Sequence, residues 1–314
     1  MNRSNTLPKP HHILPTAYRL LLTAYCLLPT AYCLLPSHLT AQETASRVKY
    51  KMFQSKALNQ EKRGAVYLPA GYDTSDKTYP VIYFLHGLFG SENRWEQRGA
   101  KPIVDKLIAD GTITPAIIAI ADGDNSFYVN AVNGQAAYED YIINDFLPYI
   151  ESTYRIDPRR SQRAISGISM GGFGSLMLGM RHPDLFSSVS AHSAVLIPVP
   201  LDQLPPRLLQ SYQSQFFEAV FGNPVDEAHW RQHHPVDLIN TATDLKTVAW
   251  YFDCGTEDRY GFHRGAAKLH TLMESSGIPH EYHLFPGGHG WEYVRSTLHR
   301  SLSFHSKNFQ MADE

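Results

Sequence analysis

From about residue 46 onward, the apolar and polar positions fall into short strands that alternate with helices. The segments KYKMFQS and AVYLP alternate with a period of two and predict two half-buried strands. Pro69 and Gly71 punctuate the turn that follows. Residues 80–85 are a continuous apolar run ending at His86-Gly87, the pattern of a strand covered on both faces. Residues 93–109 carry helical spacing at Ile103, Leu107 and Ile108 and stop at Gly111. AIIAIA at 116–121 predicts a second buried strand. Residues 138–154 predict one amphipathic helix through Tyr141, Ile142, Phe146, Leu147 and Ile150. Further strands are expected at 163–168, 187–191, 248–252 and 280–285, with helices from Met170, at 262–276 and at 291–307. Residues 196–245, which carry several prolines, predict a largely helical insertion before the strand at 248–252. The alternation predicts an α/β fold, a mostly parallel central sheet with helices on both faces. No Pro/Gly/Ser-rich linker divides residues 42–314, which read as one domain.

The first 41 residues read differently. A seven-residue near-repeat, TAYRLLL then TAYCLLP twice, fills residues 16–36. Pro29 and Pro36 would break a coiled-coil helix and interrupt a membrane span, which needs about 20 apolar residues. A basic start at Arg3 and Lys9, an apolar stretch and Ala41 fit a secretory signal, and so predict a periplasmic or secreted protein. Arg19 within the apolar stretch fits instead an over-extended start, and so a cytoplasmic chain. Under both readings residues 1–41 stand outside the fold.

Composition adds little. The 314 residues are 43% apolar and 18% charged, with a formal net charge of −2. Charge therefore gives no argument for nucleic acid or an anionic membrane as partner. Cys26 and Cys33 lie in the N-terminal stretch, which leaves Cys254 alone in the domain, without an internal disulfide partner.

The chemistry is concentrated in a few motifs. Gly167-Ile168-Ser169-Met170-Gly171 is a G-x-S-x-G between an expected strand and an expected helix. A serine on so sharp a turn needs small neighbours two positions away on either side, and the following helix directs its N-terminal N–H groups at the reaction site. Ser169 is the candidate nucleophile. An acyl-transfer site also needs two N–H donors for the oxygen that becomes negative. Met170, following the nucleophile, and Leu88, in the His86-Gly87-Leu88 loop, are the candidates. His86 itself reads equally as a buried, hydrogen-bonded histidine. The base must be a histidine, and His289 stands among glycines between the last strand and last helix, in PGGHGW. The acid belongs in a loop between serine and histidine in chain order. Asp258 is preferred in Asp253-Cys254-Gly255-Thr256-Glu257-Asp258, with Glu257 and Asp253 as alternatives.

With these motifs in place, the chain resembles the esterase D family of α/β-hydrolases. That family includes feruloyl and acetylxylan esterases, siderophore esterases, S-formylglutathione hydrolases and the antigen 85 mycolyltransferases. The resemblance runs from about Val66 to Leu302. It rests on VYLPAGYD, YPVIYFLHG, YEDYIINDFLPYIE, GISMGGFGSL, DCGTEDRY and FPGGHGWEYVR in order. It implies an α/β-hydrolase fold and a triad of Ser169, Asp258 and His289. It also implies a Leu88/Met170 oxyanion hole and ester hydrolysis without metal or cofactor. S-formylglutathione hydrolases usually carry a cysteine after the HG motif; residues 88–95 have none, so that subgroup is disfavoured.

Trp95 and Trp291, with Phe127, Tyr128 and Trp230, are candidates for a substrate-binding cleft or for packing beneath loops. His280 and His283 are poorly spaced for one ion on a strand, and His229, His233 and His234 read as a polar surface stretch. Asp122-Gly123-Asp124-Asn125 lacks the rest of a calcium loop. The expected activity is carboxylic ester hydrolysis on a small or polysaccharide-linked ester. Acyl transfer to a sugar or alcohol, and non-catalytic binding, are the competing readings.

Overall fold

The computed structural model describes residues 45–203 and 215–311. Within them, eight strands form one sheet: β1 (Arg47–Ser55), β2 (Gln60–Leu68), β3 (Val81–Leu85), β4 (Ile117–Ala121), β5 (Arg163–Ile168), β6 (Ser188–His192), β7 (Ala249–Gly255) and β8 (His280–Phe285). Their order is β1-β2-β4-β3-β5-β6-β7-β8. The hairpin β1–β2 and the β2–β4 pair are antiparallel, and every later pairing is parallel. All five residues of β3 and of β4 are buried, as expected of strands covered on both faces.

The helices divide between the faces. On one side lie α1 (Ala100–Ala109) and the terminal helix α8 (Trp291–Met311), whose Val104, Val294 and Leu298 pack on Tyr67, Phe84 and Ile118. On the other, the helical stretch 138–153 (α2), α3 (Met170–Arg181) and α7 (Phe262–Ser275) enclose a larger core that includes Tyr83, Phe173 and Leu269. Three short helices, α4 (Gln215–Phe221), α5 (Glu227–Arg231) and α6 (Pro235–Leu238), and a single helical turn at Leu201–Gln203 lie in the described part of the 196–245 insertion.

Two expected elements differ in detail. The helix expected over 93–109 is two pieces, Arg94–Gln97 and α1, because Gly99 takes φ +83° between them. The single amphipathic helix expected over 138–154 contains a wider stretch with i→i+5 bonding at Tyr141–Phe146. In such a stretch residues five apart stand on one side. Tyr141 and Phe146 therefore both reach Phe53 of β1, with ring centroids at 6.0 and 5.8 Å. The signal-like residues 1–41 lie outside the described residues. No helix among those described is long and apolar enough to cross a membrane.

Candidate active site

Ser169 sits where β5 turns into α3, with φ 57° and ψ −116°, a conformation costly for a residue with a Cβ. Several contacts hold it there. Its N–H donates to the His192 carbonyl on β6 at 2.9 Å. A Cβ on Gly167 would fall 2.1 Å from the Gly171 oxygen, and one on Gly171 would fall 2.0 Å from the Leu85 oxygen. Neither position tolerates a larger residue without moving backbone, which is why both are glycine.

The ring of His289 brings Nε2 to 2.9 Å from Ser169 Oγ and Nδ1 to 2.8 Å from Asp258 Oδ2. Asp258 is the carboxylate of its loop that reaches the ring. Its Oδ1 accepts the Tyr260 N–H at 2.9 Å. Burial pushes the Asp258 carboxyl up, but the His289 and Tyr260 hydrogen bonds outweigh it and hold the group below the usual carboxylate range. Tyr260 and Phe262 stand edge-on to the imidazole at 4.9 and 5.5 Å. The two loops are joined through backbone. Glu257 N–H donates to the Gly287 carbonyl at 2.9 Å, and a Cβ on Gly255 would fall 2.2 Å from that same oxygen.

The alternatives to Asp258 lie elsewhere. Glu257 is exposed. Asp253 still belongs to β7, is buried, and faces His192 on β6 with both oxygens at 3.0 Å. His192 Nε2 in turn meets Ser301 Oγ at 2.9 Å. This second Asp–His–Ser array is closed to solvent.

The loop after β3 is braced from below. His86 Nδ1–H donates to the Gly87 carbonyl, and its Nε2 accepts the Gly123 N–H, both at 2.9 Å. Both ring nitrogens are thereby spent on backbone, so His86 is a brace. Asn125 Oδ1 accepts the Phe89 N–H at 2.8 Å, and the Tyr128 hydroxyl donates to the His86 carbonyl at 3.1 Å. The turn at 122–125 thus supports the loop beside Ser169. Among the described residues, neither the Leu88 nor the Met170 N–H has an acceptor.

A cavity of about 750 Å³ opens on Ser169 and His289. Phe127, Val195, Phe217 and Phe262 give it apolar walls, and Trp291 lines it as well. Trp95 does not. It is 1% exposed and packs against Tyr67 at 5.7 Å in the core of the opposite face, so its expected place in the cleft is corrected. Its position inside the turn Arg94–Gln97 turns its ring down onto the sheet. Tyr128 and Trp230 are likewise buried. The histidines set aside as metal candidates have other partners. His233 meets the His229 carbonyl, His234 meets Asp237, and His280 meets His270 at 2.7 Å. The sequence reading overlooked four arginines in the cavity wall, Arg94, Arg98, Arg259 and Arg295. They lie on three separate segments, Arg94 and Arg98 sharing one turn, and only the folded topology brings them to one opening.

Comparison with known proteins identifies the family and the fold. Residues 55–305 match the Esterase family, described as "Putative esterase". An esterase of Mycobacterium tuberculosis is 30% identical over 269 residues, 79% of this chain and 56% of that protein. An endo-1,4-beta-xylanase/feruloyl esterase of Xylanibacter ruminicola is 33% identical over 142 residues, 43% of this chain and 20% of that one. The chain thus spans about half the length, or less, of these curated relatives. A solved ferulic acid esterase superposes with a TM-score of 0.73 at 32% identity, covering 84% of this chain and 99% of the other. The serine on its strained turn, the eight-stranded sheet and these matches lead to one statement: the chain belongs to the esterase family of α/β-hydrolase fold.

Proposed function

We propose that this protein is a serine carboxylesterase with Ser169 as nucleophile, His289 as base and Asp258 as the orienting acid. The reading is carried by one observation, the unbroken relay Asp258 Oδ2–His289–Ser169 Oγ at 2.8 and 2.9 Å, facing a cavity. Ser169 Oγ attacks the ester carbonyl while its proton passes to His289 Nε2. The carbonyl oxygen becomes negative and takes hydrogen bonds from the N–H groups of Leu88 and Met170. The N-terminal end of α3 adds its positive dipole end. The intermediate collapses, the C–O bond to the alcohol breaks, and His289 returns the proton to the departing oxygen. Water then attacks the acyl carbonyl while its proton passes to His289, the C–O bond to Ser169 breaks, and His289 returns that proton to Oγ as the acid departs. Asp258 stays ionised throughout and keeps Nδ1 of the ring protonated.

Phe127, Val195 and Phe217 line the cavity, and in this proposal they receive the acyl group. An aromatic acyl group suits such a wall, and the similarity to a ferulic acid esterase supports a feruloyl-type acid.

The test is labelling with a fluorophosphonate together with turnover of p-nitrophenyl esters and methyl ferulate. Wild type is expected to label and turn over, and Ser169→Ala to do neither. Turnover that survives Ser169→Ala refutes the proposal. Adding a sugar or alcohol acceptor separates hydrolysis from transfer, since only transfer diverts the acyl group into a new ester.

A further inference from the structure

The protein as a whole is slightly acidic, with 28 Lys and Arg against 30 Asp and Glu. The wall of the cavity is not. Among the described residues that line it are four arginines and one glutamate, Glu292, with no aspartate and no lysine. Arg94 and Arg98 stand four positions apart at the turn after the oxyanion loop, and Arg295 reaches the Arg98 carbonyl from the first turns of α8. Arg259 follows the acid and lies over the Tyr260 ring at 4.8 Å. The Arg94 and Arg295 hydrogen bonds go to the Phe89 and Arg98 carbonyls, and that of Arg259 to the Tyr260 hydroxyl. None of the four has a carboxylate within salt-bridge distance among the described residues. Elsewhere some arginines have such partners, as Arg159 has Asp157 and Arg163 has Glu151, and others, such as Arg264 and Arg300, have none among the described residues.

The placement has a direction. The departing oxygen must sit at His289 Nε2 to receive its proton. Arg259 follows Asp258 in the acid loop, and Arg295 lies six residues after His289, so both stand on the segments that carry the acid and the base, and both line the cavity. Phe127 and Val195 add apolar surface to the same cavity. Guanidinium groups hold carboxylate and phosphate oxygens in a planar fork, and in a concave wall their fields add. We propose that the ester substrate carries an anionic group, carboxylate or phosphate, on its alcohol portion, bound by Arg98 and Arg295 with Arg94 and Arg259 adding to the field. This inference rests on the serine esterase reading above and names the substrate class for it.

The experiment uses the full chain and three matched acetates. They are 4-acetoxybenzamide (neutral), 4-acetoxybenzoate (carboxylate on the alcohol side) and 4-acetoxyphenyl phosphate. A fourth ester, the hemisuccinate of 4-hydroxybenzamide, puts the charge on the acyl side. Wild type is expected to favour an alcohol-side anion over the neutral ester by tenfold or more in kcat/KM, mainly through KM. That preference should shrink as salt is added. Whichever of the two anions is preferred identifies carboxylate or phosphate. In the double variant Arg98→Gln/Arg295→Gln the ratio of anionic to neutral kcat/KM should fall at least tenfold, and Arg98→Glu/Arg295→Glu should invert it. Equal ratios in wild type and variants, or a preference only for the acyl-side charge, overturn the proposal. Thermal melting checks that the variants are folded. Fluorophosphonate labelling without turnover of any anionic ester defeats this inference alone, whereas absence of labelling defeats the esterase reading beneath it.

Discussion

Asp253 holds His192 with both carboxylate oxygens at 3.0 Å inside the sheet, five residues before the carboxylate that reaches His289. Two acids of one short segment therefore have opposite duties, and substitution should separate them. Asp258→Asn should lower kcat by roughly 10³ to 10⁴ while the melting temperature stays near that of wild type. Asp253→Ala leaves a buried imidazole without its partner and should cost about 3 kcal/mol of stability, read by urea unfolding. If Asp253→Ala silences a fully stable protein, the roles have been exchanged.

Ser169 pays for its position with a left-handed backbone. Ser169→Ala keeps that strain and should lower kcat by roughly 10⁴-fold or more. Ser169→Gly is equally inactive but relieves the strain, so it should be more stable than Ser169→Ala by about 1 kcal/mol. Denaturant midpoints of the two variants, measured side by side, check the difference.

Gly171 marks the opposite case. A methyl group there collides with the carbonyl of Leu85, which is backbone and has little room to give. Gly171→Ala should cost about 3 kcal/mol or more and should lose phosphonate labelling as the turn opens. Gly288→Ala, whose added carbon finds only the Glu257 oxygen at 3.8 Å, should fold like wild type and serves as the control.

Stability should also fall on mild acidification, for a reason outside the cavity. His305 is wholly buried between Ser188 and Ser190, and burial together with nearby His192 pushes its imidazole down to about 3. The depressed value means the native state keeps His305 neutral while the unfolded chain takes up a proton below about pH 6.5. The contribution is complete above that pH and is lost progressively as the pH falls toward 3. Urea unfolding from pH 7 to pH 4 should show this slope, and His305→Gln should flatten it. An unchanged slope in that variant would assign the acid sensitivity to other groups.

Much of this was readable in advance because the decisive residues carry local signatures. Ser169 and His289 stand among glycines whose absence of side chains is a steric requirement, and Asp258 follows a glycine turn after a buried strand. Features that depend on distant partners were not readable. The wide turn at Tyr141–Phe146 arises because both rings must reach Phe53, far away in sequence. Trp95 follows the Gly87-Leu88 loop closely in sequence, but its direction is set by the helical turn that carries it. Arg94 and Arg98 share one helical turn, but Arg259 and Arg295 lie far from them in sequence, and only the folded topology gathers all four.

The seam of backbone between Gly255, Glu257 and Gly287 fastens the carboxylate loop to the imidazole loop. Acid and base therefore travel as a single clip, and the one gap left for the rest of the molecule to set is that between ring and hydroxyl. Arg94, Arg98 and the short helices of the insertion are attached to other segments. They can drift through evolution, admitting new alcohols or acids, while the proton's route stays as it was.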